Sequence, residues 1–159
     1  MNFQVIALPS TEFEALYGLS DEELQRRGIR TSIANAQPGF PCRVSLKDAE
    51  PGARMFLMNY EHQSANSPYR STHAIYVQDG ASTATLPVNE VPDVLRARLL
   101  SVRAFDERGM MIDADVVDGN DATPTFERML SNEKAAYLHV HNAKRGCYAA
   151  RVDRVSETQ

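Results

Sequence analysis

Residues 137 to 152 read YLHVHNAKRGCYAARV, two runs rich in β-branched, aromatic and small apolar residues on either side of the polar segment Asn142-Ala-Lys-Arg-Gly146. The runs Ala136 to His141 and Cys147 to Val155 have the composition of strands, and the glycine-ended segment between them that of a hairpin turn. A parallel crossover needs about a dozen residues or more, so strands joined this tightly must run antiparallel. Other joins in the chain are as short. The expected fold class is α+β, a single domain over residues 1–159 with a largely antiparallel or mixed β-sheet and three to four short helices.

Working outward, Phe3 to Leu8 and Ile29 to Ala34 read as strands, and Ser20-Asp-Glu-Glu23 is a capping box that opens a helix which Gly28 can close. Cys42 to Leu46 and Arg54 to Glu61 read as strands around the turn DAEPGA, and Thr72 to Gln78 follows the polar loop His62 to Ser71. Pro92 fits the first turn of a helix running through Leu100. Val102 to Phe105 and Met110 to Val117 flank the hairpin signal Asp106-Glu-Arg-Gly109, and a last helix is expected over Thr123 to Leu130.

Hydrophobic residues make up 43% of the chain and charged residues 24%, the balance of an ordinary globular domain that buries a core without staples. Seventeen basic against 21 acidic residues give a formal net charge of −4, which offers no electrostatic footprint for nucleic acid or an anionic membrane. Neither is an expected partner. Fourteen of the 17 basic residues are arginine, suited to bidentate recognition of carboxylate or phosphate, although a compositional bias gives the same ratio. The N-terminal run MNFQVIALPSTEFE carries no basic residue and does not read as a signal peptide, and no stretch reaches the length of a membrane span. With two cysteines, the expected compartment is the reducing cytoplasm, with Cys42 and Cys147 as free thiols.

The last hairpin holds the chemistry-bearing residues. If its turn takes all five residues from Asn142 to Gly146, His141 faces Cys147, His139 faces Ala149 and Tyr137 faces Arg151, with paired Cβ atoms about 4.5–5.5 Å apart. A thiol beside an imidazole is the arrangement of a nucleophile and its base, which makes Cys147 and His141 the candidate catalytic pair. The same two side chains also suit a soft metal ion.

His139 and His141 alternate along one strand, Asp113 and Asp115 along another, and Arg151 and Asp153 along a third. Side by side, these strands would form one polar surface able to hold a divalent transition metal such as zinc through His139, His141, Asp113 and Asp115. His62 and Cys147 are further candidates for the third ligand. An antiparallel sheet with one wet face alternates in the same way, so the pattern also fits a solvated surface. His62 ends a strand beside the polar loop, whereas His73 shares parity with Ile75 and Val77 and reads as a core histidine.

Lys144 and Arg145, beside Asn142 and a glycine that allows close backbone approach, form the best local anion trap in the chain. Arg43, Arg70 and Arg151 are the other candidates to clamp an anionic group, against the ordinary alternative of exposed ion pairs. There is no glycine-rich phosphate or dinucleotide loop, no H-E-x-x-H, no C-x-x-C and no G-x-S-x-G. That argues against nucleotide hydrolases, zinc peptidases of the common type, thioredoxins and α/β-hydrolases.

The segments PGFPCRVSL, NYEHQ, SPYRSTHAIYV, DADVVDG and HNAKRGCYAARVDR, in this order over nearly the whole chain, resemble a bacterial family catalogued as domain of unknown function 1203. The resemblance implies a small single-domain bacterial protein and brings no reaction, cofactor or catalytic residue with it. The residues themselves point to a cytoplasmic domain that binds a small polar or anionic molecule near the C-terminal hairpin, with catalysis as an extension. The alternative is a protein-interaction or sensory module whose histidines are structural.

Overall fold

Tyr137–Asn142 and Tyr148–Val155 pair as antiparallel strands, but the turn between them is one residue tighter than expected. The Asn142 N–H donates to the Cys147 carbonyl at 2.9 Å and the Gly146 N–H to the Asn142 carbonyl at 2.7 Å, leaving only residues 143–146 in the loop. Gly146 sits at φ 78°, a left-handed conformation that a side chain disfavours.

The computed structural model describes residues 1–157. In chain order the elements are β1 (Asn2–Ile6), α1 (Asp21–Arg26), β2 (Arg30–Ile33), β3 (Pro41–Cys42), β4 (Lys47–Asp48), β5 (Arg54–Gln63) and β6 (Ser71–Gln78). They continue with α2 (Asp93–Arg96), β7 (Leu99–Phe105), β8 (Met111–Asp118), α3 (Ala122–Leu130), β9 (Tyr137–Asn142) and β10 (Tyr148–Val155). The class is α+β. Where one sheet was expected there are two of five strands each, in the orders β1-β10-β9-β7-β8 and β2-β5-β6-β3-β4. The first is antiparallel throughout, and the second is mixed because β3 runs parallel to β6.

Each sheet has its own apolar core. Leu138 and Val140 of β9 point towards α3 and bury with Phe126, Met129 and Leu130 of that helix, while Phe3 meets Phe126 edge-on at 5.3 Å between centroids. The second core gathers Phe13, Leu24, Met55, Phe56, Ile75 and Val77. Helix α1 starts where the capping box placed it, with the Ser20 side chain accepting from the Glu23 N–H at 3.2 Å.

Two expected elements are corrected. Of Cys42 to Leu46 only Cys42 is in a strand; the chain turns over 43–46 with Leu46 at φ 51°, because Arg43 and the residues after it fold back towards β4. The helix after Pro92 ends at Arg96 rather than Leu100, since Leu100 is fully buried as part of β7.

Two β-bulges position the residues of interest, each adding one unpaired residue that re-aims its neighbours. In β10, Tyr148 pairs with His141 and Ala150 with Val140, so Ala149 is the extra residue. In β5, Glu61 pairs with Thr72 and Gln63 with Ser71, so His62 is the extra residue.

Candidate functional site

The four-residue turn removes the expected partner of His141, and with the bulge at Ala149 that of His139 as well. Cross-strand rows on the face of the first sheet turned away from α3 run Ser101, His141, Tyr148 and Ala114, Arg103, His139, Arg151. The row between them belongs to the other face, with Asp115, Val102, Val140 and Ala150. His141 therefore lies beside Tyr148 rather than Cys147, and His139 beside Arg151 rather than Ala149. The expected Cys147–His141 pair is corrected on this ground, because the tighter turn shifts the register that it needed.

Onto this face the second sheet delivers His62, stacked on Tyr148 with 5.2 Å between centroids and 9° between planes. His73 of β6 follows it, its Nδ1 lying 2.7 Å from His62 Nε2. All four histidines of the chain thus meet in one layer between the sheets. His62, His139 and His141 can each offer a nitrogen lying within 4.8 Å of the other two. Phe105, Tyr137 and Tyr148 surround His139 at ring distances of 5.1–5.2 Å, and Gln63 closes this end by donating to the Tyr137 hydroxyl at 2.9 Å.

The layer is electrostatically one-sided. Burial depresses the pKa of His139 and His141 to about 3 and of His62 to about 4, and it lowers that of His73 as well. The Arg103 guanidinium adds to the depression at every one of the four. Arg103 itself contacts only neutral groups, the Ser101 hydroxyl at 3.3 Å and His141 Nε2 at 3.5 Å, and no ion pair to it is found among the described residues. The four imidazoles are neutral at physiological pH.

His73 also borders a second feature, an open cleft of about 970 Å³ that runs from the 39–43 segment to the hairpin turn. Arg43, Arg98, Lys144 and Arg145 line it together with Asn142 and Cys147, and no aspartate or glutamate does. Arg43 is only 2% exposed. Its guanidinium donates to the Tyr148 carbonyl at 2.8 Å, to the Pro41 carbonyl at 2.6 Å and to Cys147 Sγ at 3.1 Å, with no carboxylate in contact among the described residues. Arg98 is held bidentately by Asp48, at 2.6 and 2.9 Å. Phe40 and Tyr76, 5.2 Å apart between centroids, give the cleft an aromatic wall.

A family model described as "Protein of unknown function (DUF1203)" matches residues 39–154. The chain belongs to the DUF1203 family. No curated protein and no solved structure gives a match. The DUF1203 span holds all four histidines, both cysteines, Arg43 and the basic turn, and leaves β1, α1 and β2 outside it.

Of the residues singled out in the DUF1203 sequence, the structure brings His139 and His141 together with His62, and Arg43, Asn142, Lys144, Arg145 and Cys147 together around the cleft. Four others lie elsewhere. Asp113 and Asp115 project from the α3 face of the sheet, where both accept from Arg128 at 3.0 and 3.1 Å, so they cannot share a metal ion with His139 and His141. Arg70 is exposed and pairs with Glu61 at 3.3 Å. Arg151 lies on the histidine face beside His139, but bonds Asp153 at 2.6 Å and covers the Tyr137 ring at 4.4 Å rather than lining the cleft.

Sequence reasoning misses Arg103, Tyr148 and the pairing of His73 with His62. Arg103 reaches His139 through the register of β7 with β9, and Tyr148 reaches His141 through the four-residue turn, neither of which local periodicity marks. For His73 the parity with Ile75 and Val77 places it on the inward face, and its partner there is another imidazole.

Proposed function

We propose that this domain binds a small anionic molecule in the cleft beside the C-terminal hairpin. The observation that carries the reading is the charge of the lining: four basic side chains and no acidic one, in a chain whose net charge is −4. Asp48 offsets Arg98, which leaves Arg43, Lys144 and Arg145 without a carboxylate among the described residues. Burying a guanidinium without a counter-ion is costly, and an anion held against it offsets that cost.

Lys144 and Arg145 are exposed on the turn and free to fold over a ligand, while Phe40 and Tyr76 suit one with a planar or apolar body. The buried Asn142 Oδ1, which has no partner among the described residues, can accept from a hydroxyl or amino group on the same ligand. A catalytic extension would use Cys147 as nucleophile with Arg43 rather than His141 beside it, since the Arg43 guanidinium donates to Cys147 Sγ at 3.1 Å. The reducing cytoplasm is the compartment that keeps such a thiol free.

Thermal denaturation with sulfate, inorganic phosphate or benzoate, at ionic strength held constant with sodium chloride, tests the proposal. Saturation to about one hundred times Kd stabilises by about 2.7 kcal/mol, or roughly 5–10 °C for a chain of this size. The double substitution Lys144→Ala with Arg145→Ala removes most of that rise without lowering the Tm of the free protein. Equal rises in both proteins, or none with any anion, would sink the reading.

A further inference from the structure

Independently of the cleft, the histidine layer has the chemistry of a metal centre. The Gly146 carbonyl can only accept, so His141 Nδ1, 2.9 Å from it, carries the ring proton and Nε2 keeps its lone pair. That lone pair has only the 3.5 Å contact with Arg103, at the outer limit of a hydrogen bond. Nδ1 of His139 and Nδ1 of His62 are both buried with no partner among the described residues. Orphaned polar atoms in a protein interior are uncommon, and two of them on neighbouring imidazoles point to a shared ligand. If His62 binds through Nδ1, its Nε2 must carry the proton, and His73 Nδ1 lies 2.7 Å away as the acceptor. Metal-bound histidines almost always have such an outer partner, which fixes the tautomer and raises the basicity of the ligand nitrogen.

We propose that His62, His139 and His141 bind one divalent transition metal ion of the zinc class, with His73 as the positioning partner of His62 and an anionic group, oriented by Arg103, completing the coordination. Three neutral nitrogens without a carboxylate select against magnesium and calcium and suit zinc, cobalt, nickel or copper. Tetrahedral bonds of about 2.0–2.1 Å set ligand nitrogens roughly 3.4 Å apart. The present spread of up to 4.8 Å therefore closes by ring rotations that move each nitrogen on the order of 1 Å. A cation held by neutral ligands beside an unpaired guanidinium is electrostatically complete only with an anion between them, and this is the reason for the fourth ligand.

The test uses the untagged full chain, freed of metal by a chelator and then titrated with cobalt(II). The expected result is uptake of one equivalent with the visible absorption of tetrahedral cobalt, and its displacement by one equivalent of zinc. His139→Gln abolishes the uptake. His73→Phe keeps the stoichiometry and weakens affinity by about 10–100-fold, the range for loss of an outer partner. Arg103→Met binds cobalt but loses the spectral shift that azide produces in the wild type. No stoichiometric uptake by the wild type overturns the proposal whatever the variants do, and so does undiminished uptake by a folded His139→Gln. An azide shift of unchanged size in Arg103→Met overturns the anionic fourth ligand.

Discussion

Taking the metal-free protein from pH 7 to pH 5 is expected to cost about 4 kcal/mol of stability through His139 and His141 alone. These imidazoles are 4% and 0% exposed, and burial holds both near about 3, against 6.5 for a free histidine. A depressed folded-state value means that the unfolded chain takes up protons first as the pH falls. The stabilisation is therefore complete above about pH 6.5 and is lost from there down towards the folded values. At pH 5 each group has lost ~2 kcal/mol, since each pH unit below the unfolded value is worth about 1.4 kcal/mol.

The charged and titratable groups that face the pair are Arg103 from β7, Tyr137 from β9 itself, Arg151 and Tyr148 from β10, His62 from β5 and His73 from β6. No carboxylate among the described residues faces them to oppose the loss, because Asp153 is engaged by Arg151. With a urea slope of about 2 kcal/mol per molar, the unfolding midpoint falls by roughly 2 M between the two pH values. Urea titrations followed by circular dichroism measure it, with His139→Gln combined with His141→Gln as the control that removes both titrating groups. A wild-type midpoint that does not move, or a double variant that loses as much as the wild type, refutes the reasoning.

Three further outcomes follow from the same geometry. Cys147, part-exposed at the cleft, reacts with an aromatic disulfide reagent at least about tenfold faster than Cys42, which is 1% exposed and accepts backbone N–H groups from Ser45 and Gln78; equal rates read by peptide mass would contradict this. Asp113→Asn combined with Asp115→Asn leaves cobalt uptake unchanged, since these side chains face α3, and costs no more than about 1 kcal/mol from their exposed pairs with Arg128; a lost cobalt spectrum counts against the assignment of faces. Phe126→Ala, which empties the centre of the first core, costs about 3–5 kcal/mol in urea unfolding, and a loss below about 1 kcal/mol would mean that α3 does not seal that sheet.

The hairpins β7–β8 and β9–β10, the capping box at Ser20 and the alternation of β9 are legible because each depends on local residue chemistry: a turn glycine, a hydroxyl three residues before a glutamate, imidazoles at alternate positions; the hairpin expected around DAEPGA does not form, because β5 pairs with β2 and β6 instead. The site was legible only in part. His139 and His141 were placed on one face correctly, but their neighbours depend on Ala149 and His62 being bulge residues, and neither carries the glycine that would mark an irregularity. The four-residue turn sets Tyr148 opposite His141 and leaves Cys147 at the cleft beside Arg43, a partner 104 positions away that periodicity does not reveal. Asp113 and Asp115 share a parity just as the histidines do. Parity within a strand does not fix which face pairs with which, and that depends on the register of β7 with β8 and β9. The split into two sheets, which creates the layer between them, rests on long-range packing and leaves no local trace.

The cleft is the central claim, and locating an anion in it is the most direct test. Crystals of the wild-type protein soaked in selenate, with data collected at the selenium edge, identify the bound oxyanion by its anomalous scattering. The predicted result is a peak over the hairpin turn within hydrogen-bonding distance of Lys144 or Arg145 and directed at the Arg43–Cys147 floor. Peaks confined to other surface arginines, such as Arg70, with none in the cleft would contradict the account.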